Sequence, residues 1–368
     1  MLQYERIMLT SFRRLKVASW YRSAGSRSSP DVQGSSLHRG ASSAARDGST
    51  SPSPALGYNN GVGAVLAKPQ ADKNDASRER GAAVADRDRG GQWSANKLST
   101  AAHHGKLSNV QTLLQDARTD VNSVVSKRGG TSLVAAAAKG HLAVVQALLA
   151  DARTDVNKAN KGGFTPIASA AGNGYLSIVN ALLADPRIDV NSVNSKIGGT
   201  SLVAAAFNGH LAVVQALLSD ARTNVNKANK GGFTPIASAA DRGHLSVVNA
   251  LLADPRTDVN VPGGITPLTA AAAQGQLDIV QAFLADPRTE VNRRNKAGFT
   301  PLVAAARNGH VDVVKFLLSH PSVNTNQENL YGKTALACAA SSGHMDVVKL
   351  LLADARTDVN KVNNAGFT

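Results

Sequence analysis

From Leu98 to the end of the chain, short apolar blocks alternate with polar punctuation in one recurring order. The stretch from Gly162 shows what the order builds. Gly162 and Gly163 permit a tight turn, Thr165 is placed to cap a helix, and Pro166 occupies its first position, where no amide donor is lost. Ala168, Ala170 and Ala171 keep that helix slim, and Gly174 supplies a left-handed stop. Leu176, Val179, Leu182 and Leu183 then recur at three and four residues, which predicts a second helix with one buried face. Asp189-Val190-Asn191 returns the chain to the next turn. The predicted unit is helix, stop, helix, return.

The unit repeats. Its anchor threonines are Thr131, Thr165, Thr200, Thr234, Thr266, Thr300, Thr334 and Thr368, at separations of 34, 35, 34, 32, 34, 34 and 34 residues. Such a period implies a solenoid, in which each unit covers its apolar face only by stacking on its neighbours. Thr131 to Thr200 and Thr165 to Thr234 are both 69 residues, and the blocks they open are nearly identical, as expected from duplication of a two-repeat unit.

Gly-x-Thr-Pro-Leu, an Ala pair, Gly-His-Leu, Val-Val, Leu-Leu and Asp-Val-Asn, in that order, resemble the ankyrin-repeat family over about residues 98–368. The resemblance implies an α fold: an ankyrin-repeat solenoid of helix-turn-helix repeats with β-hairpin fingertips. Residues 94–127 lack the opening Thr-Pro and carry Lys106 where later repeats have His, as an N-terminal capping repeat would. Seven repeats then fill 128–364, and 365–368 begin a truncated one, leaving Leu350, Leu351 and Leu352 under-covered. The family's Thr-Pro-Leu-His histidine, which ties neighbouring repeats together, is absent: Val134, Ala168, Val203, Ala237, Thr269, Val303 and Ala337 stand there. Apolar packing is expected to substitute. The family also implies that Asp-Val-Asn asparagines such as Asn157 or Asn260 are candidate hydroxylation sites.

Ahead of the repeats the pattern changes twice. In residues 1–21, Tyr4, Met8, Phe12 and Leu15 recur at four, four and three while Arg6, Arg13 and Lys16 take another face, which predicts a short amphipathic helix. Its Arg-rich, acid-poor character fits organelle import, a membrane-surface or partner-binding helix, or accidental periodicity, and Glu5 counts against import. Residues 22–93 are rich in Ser, Gly, Ala, Arg and Asp without sustained apolar period, the composition of a disordered linker. Its Ser29, Ser51 and Ser53 each precede Pro, the setting of candidate phosphorylation sites.

Composition sharpens the picture at three points. Aromatics are only 4% of the 368 residues, so the interior is built from small side chains. The net charge of +14 divides into 14 Lys/Arg against 8 Asp/Glu up to Trp93 and 26 against 18 beyond it, so the excess over the repeats is dilute. Cys338 is alone and no Asn-x-Ser/Thr occurs, which points to a reducing compartment, cytoplasm or nucleus, with organelle import as the alternative. No apolar run approaches a membrane span.

Candidate chemistry is sparse. His141, His210, His244, His310 and His344 recur once per repeat at the start of the second helix, with Tyr175 and Gln276 in the same place elsewhere, which fits a structural role. No Cys or carboxylate follows His103-His104 at ligand spacing. Arg118, Arg153, Arg187, Arg222, Arg256, Arg288 and Arg356 each follow an acidic residue by two, the pattern of a solvated ion-pair ladder rather than a phosphate-binding stripe. No Gly-rich loop leads into Lys-Ser/Thr. The expectation is no enzyme, no cofactor and no metal.

What remains is surface. In the family, partners are held by fingertips and by exposed positions of the first helix, which line a concave groove. Here those places give Lys161, Phe164, Phe233 and Phe299 at fingertips, and Asn173, Phe207, Asn208, Asp241, Arg242, Arg307 and Asn308 near helix ends. The phenylalanines fit aromatic anchors or simple hairpin packing equally well. A non-catalytic interaction scaffold for a protein partner, with an acidic segment favoured by the basic groove, is the expected function. It is expected to be a monomer, with self-association open through the uncapped C-terminal repeat. The rivals are the ankyrin portion of a larger enzyme or channel, and a weak, basic nucleic-acid binder.

Overall fold

The computed structural model describes residues 90–124, 129–261, 264–362, 364 and 366. The expected targeting helix at 1–21, the linker up to residue 89 and Thr368 lie outside the described residues. Sixteen helices occur among those described, in eight pairs. The pairs are α1 (Gly90–His103) with α2 (Leu107–Gln115), α3 (Ser132–Lys139) with α4 (Leu142–Ala150), α5 (Pro166–Gly172) with α6 (Leu176–Leu183), and α7 (Ser201–Asn208) with α8 (Leu211–Ser219). They continue as α9 (Pro235–Arg242) with α10 (Leu245–Ala253), α11 (Pro267–Ala273) with α12 (Leu277–Ala285), α13 (Pro301–Asn308) with α14 (Val311–Ser319), and α15 (Ala335–Ser341) with α16 (Met345–Ala353). Helix α1 begins at Gly90, four residues before the expected start of the capping repeat at 94.

Threonine starts the first helix of the repeats. The Oγ1 atoms of Thr131, Thr165, Thr200, Thr234, Thr300 and Thr334 each accept from the backbone N–H three residues on, satisfying one of the donors a helix start leaves open. Thr266 departs from this: its hydroxyl donates to Thr269 Oγ1 at 2.5 Å, and its helix follows the shortest loop. Between pairs the chain turns through fingertips such as Asn160–Phe164, where Asn160 N–H donates to the Phe164 carbonyl at 2.9 Å and Asn160 Oδ1 accepts from Phe164 N–H at 3.0 Å. That side chain closes the loop after one turn, so the fingertips expected as β-hairpins are tight asparagine-closed turns, and no strand is present among the described residues.

The core runs unbroken along the stack. Ile167, Ala170, Ala171, Ile178, Val179 and Leu182, and their counterparts in neighbouring repeats, are buried. First helices pack more closely on one another than second helices do. The alanine pair, with no side chain beyond Cβ, allows that approach.

Three sets of bonds tie repeat to repeat. In the first, the imidazole of His210 lies over Gly174 of the preceding repeat and its Nε2 bonds the Gly172 carbonyl at 3.1 Å. Gly174 is doubly required: φ is +77° and a Cβ would sit 2.7 Å from His210 Nδ1. His141, His244, His310 and His344 make the same bond to His103, Phe207, Ala273 and Arg307 carbonyls. They act at the end of the first helices, whereas at the positions of the missing Thr-Pro-Leu-His imidazole Val134, Ala168, Val203, Ala237 and Val303 are buried, as the expected apolar packing requires. In the second, Asn157 of Asp-Val-Asn donates to the Arg187 carbonyl and accepts from Asp189 N–H, and Asn122, Asn191, Asn226, Asn260, Asn292 and Asn326 do likewise.

The third set corrects the expectation of a solvated arginine ladder. Arg153, Arg187, Arg222, Arg256, Arg288 and Arg356 each hold their aspartate at 2.6 Å, but the same Nη2 also reaches back to the carbonyl of Leu114, Leu149, Leu183, Leu218, Leu252 or Leu318 at the end of the preceding second helix. Each is a strap across a junction. Hydrogen bonds from the arginine hold the six aspartate carboxyls below their usual pKa and lift the guanidiniums above theirs. Arg118, in the first pair, bonds only Asp116, and its side chain is 85% exposed. One junction lacks the strap, because Ser322 and His320 replace the arginine and its aspartate.

At the last pair Leu351 is fully buried and Leu350 half-buried, so of the three leucines expected to be under-covered only Leu352 is exposed, at 53%. Met345, Val359 and Val362 share that exposure.

Candidate partner-binding face

Where the first helices end, side chains stop being shared between repeats. Asn173 and Asn208 occupy equivalent turns. Asn173 Nδ2 donates to Ser169 O, while Asn208 Nδ2 donates to both Ala204 O and Gly172 O of the preceding repeat. Asn308 repeats that cross-repeat bond with Ala273 O at 2.7 Å. These three amide groups therefore hold the helix ends in place, and what they can offer a partner is their remaining oxygen.

The neighbouring positions form a cluster. Arg242 lies over the Phe207 ring, 4.1 Å from its centroid, and its Nε is 3.7 Å from Asp241 Oδ2. Gln274 of the next repeat donates to Asp241 Oδ1 at 3.0 Å. The cluster thus spans three repeats, bringing Phe207, Asp241 and Arg242 together as one patch. Burial pushes the Asp241 carboxyl above its ordinary value, against the opposing pull of Gln274 and Arg242. Gln274 is the member whose contact spacing alone does not reveal.

A second pairing sets exposed Arg307 5.2 Å from the Phe299 ring centroid. Phe299 is buried, so it acts from below as a platform for Arg307 rather than as a protruding anchor. Phe164 and Phe233 are half-buried in their fingertip turns, and Lys161 is exposed with its N–H bonded to the Gly129 carbonyl. The structure therefore joins Phe207, Asp241 and Arg242, pairs Arg307 with Phe299, and leaves Lys161, Phe164 and Phe233 as separate fingertip contacts.

The fingertips carry positive charge. Lys158, Lys161, Lys196, Lys227, Lys230, Arg294 and Lys296 are exposed along one row. Glu290 is paired with Arg293 at 2.9 Å and Glu328 with Lys361 at 3.3 Å, while Asp155, Asp189 and Asp258 accept the N–H of the asparagine two residues on. Two recesses are lined in part by fingertip residues. One of about 250 Å³ lies among His103, Val134, Lys139 and Asn160. The other, of about 660 Å³, is lined by the turn 289–294 and Gln327. Arg293, Arg294 and Gln327 were not among the expected site residues. The readable signals were an Arg-Arg pair in a fingertip and the shortened spacing of 32 just before it.

Among the described residues no group of three His, Cys, Asp or Glu is placed to hold a metal ion, and no helix is long and apolar enough to cross a membrane. Cys338 is buried, with its thiol pushed up by burial. No curated protein matches the chain. The family profile described as ankyrin repeats (3 copies) matches residues 98–194, 186–263 and 268–363. With paired helices, threonine caps and asparagine ties recurring through those same residues, the chain belongs to the ankyrin-repeat family.

Proposed function

We propose that the protein is a non-catalytic scaffold that holds a protein partner along its fingertips and the last turns of its first helices. Ankyrin repeats generally mediate protein–protein interaction and are typically non-catalytic modules. The observation that carries the reading is the contrast at one structural position. Phe207-Asn208 and Asp241-Arg242 end equivalent helices in repeats whose straps and ties are otherwise the same, and they meet in a single patch. Binding would draw on preorganisation, since the side chains are already held by neighbours and lose little freedom on contact.

A long phosphate-tracking stripe is not favoured, because six of the arginines that would form it are spent on aspartates and carbonyls. The working unit we infer is a monomer in the cytoplasm or nucleus, with the Met345, Leu352, Val359 and Val362 face as the route to self-association. Sedimentation across a hundredfold concentration range separates the two states. The test of the scaffold is affinity capture with the full chain beside a variant carrying Phe207→Ala, Asp241→Arg and Arg307→Glu, matched by circular dichroism. A protein retained by the parent and lost by the variant supports the reading. Identical retention by both removes it.

A further inference from the structure

We propose that the recess between the 289–294 turn and Gln327 is a docking site for an acidic peptide segment, with Arg294 the principal carboxylate ligand and Arg293 and Gln327 flanking it. The inference rests on the scaffold reading and gives that surface a specific anchoring point. Four observations converge here. The recess, of about 660 Å³, is a broad depression open to solvent, which suits an extended segment laid across it rather than an enclosed group. Arg293-Arg294 occupies a place where other fingertips have Lys158-Ala159, Ser192-Val193, Lys227-Ala228 and Gln327-Glu328, so this hairpin alone concentrates two guanidiniums. Arg294 is exposed and spends only its Nε on the Gly298 carbonyl at 3.3 Å, with no carboxylate partner among the described residues. Gln327 is half-buried at the rim, and its side-chain amide bonds no other described residue.

An arginine fork and an unspent amide match a carboxylate flanked by peptide backbone. Arg293 is already held by Glu290, so it contributes field more than a free fork. The same junction is the one that lacks an arginine strap: no side chain from the next repeat reaches the Leu284 carbonyl, and His320 Nδ1 is buried without a partner. The two walls of the recess, the turn at 289–294 and the repeat carrying Gln327, meet across this unstrapped junction. Binding would therefore tighten it. Nucleic acid fits less well, because no exposed aromatic ring for base stacking lines the recess.

The probe is a fluorescein-labelled dodecapeptide rich in Glu and Asp, titrated by anisotropy against the full chain. Arg294→Glu is expected to weaken binding more than tenfold, and Arg294→Lys to recover part of the loss. Lys158→Glu makes the same charge change at the fingertip four repeats away, beyond the ~8 Å reach of unscreened charge at physiological salt, and is expected to cost less than threefold. Bound peptide should also slow amide exchange in 318–326. Equal losses for Arg294→Glu and Lys158→Glu would mean diffuse attraction and overturn the site, as would absence of peptide binding. Displacement of the peptide by a single-stranded oligonucleotide that binds more tightly would overturn the peptide assignment. None of these outcomes touches the Phe207–Asp241–Arg307 capture experiment, so failure of the site and failure of the scaffold are told apart.

Discussion

The two edges of this array obey opposite rules. Along the edge where second helices end, Asp, Arg and Asn recur with the same partners at nearly the same distances from junction to junction. Along the fingertips and first-helix ends, equivalent positions hold Phe, Asp, Ala or Arg. The difference teaches where stability resides and where it does not. Side chains on the first edge satisfy backbone groups of the neighbouring repeat, so any change leaves a donor or acceptor exposed or unpaired. On the second edge the asparagines Asn194, Asn208 and Asn308 also reach a carbonyl of the preceding repeat, whereas Phe207, Asp241, Arg242 and Arg307 meet other side chains and solvent, so the frame tolerates replacement of these four.

That division is open to test. The largest effect is expected in the core beneath both edges: Leu217→Ala, at a fully buried position, should cost about 2–5 kcal/mol in urea unfolding. Next, Arg256→Ala should cost about 1–3 kcal/mol, because it empties the Leu218 carbonyl and leaves Asp254 alone. Arg118→Ala, with no preceding repeat to strap, should leave the urea midpoint where it is. If the two substitutions behave alike, the backbone bond contributes nothing and the ladder is a surface ion-pair series after all.

Acid should act on the strapped edge as a whole. The six aspartates have folded pKa values below the ordinary 3.8, so their contribution is complete above that value and is lost as pH falls through the folded values. Burial likewise lowers His210 below 6.5, so its contribution is complete above 6.5 and declines as it protonates at lower pH. Asp241, raised by burial, runs the other way and favours the folded state more as it protonates. Urea midpoints should therefore drift down slightly from pH 7 to pH 5 and fall steeply below about pH 4. A flat profile to pH 3 would contradict the strap.

Two smaller changes sharpen the contrast. Installing the missing strap with His320→Asp and Ser322→Arg should raise stability by about 0.5–1.5 kcal/mol and slow amide exchange on both sides of that junction. Arg307→Glu, on the variable edge, should shift stability by no more than about 0.5 kcal/mol while abolishing partner capture. A loss of capture that tracks a loss of folding would merge the two edges into one.

The regular edge was partly legible in the sequence and the variable edge less so. Period, helix starts and stops, and the structural place of His210 follow from local chemistry, because caps and stops act within a few residues of their own position. The arginine strap did not follow. Its aspartate lies two residues away and reads as local neutralisation, whereas its carbonyl acceptors lie 36–39 residues back and carry no side-chain identity to read. Phe299 shows the converse limit: its repeat position matches Phe164 and Phe233, yet only it is buried, beneath Arg307, a residue its own motif does not specify. The Arg294 recess joins the turn at 289–294 to Gln327, a residue 33 positions further on whose place spacing alone does not reveal.

The imidazole resting on the preceding glycine has a consequence for how such a chain can change its length. Both halves of the contact recur in most repeats, so excision or insertion of a 69-residue block leaves an imidazole or the Tyr175 ring facing a glycine at the new seam. Unequal recombination between the near-identical blocks would then yield a folded array one pair longer or shorter. The length of the array can thus change by whole pairs while every seam keeps the same kind of contact, because the mortar between repeats is indifferent to which neighbour it joins.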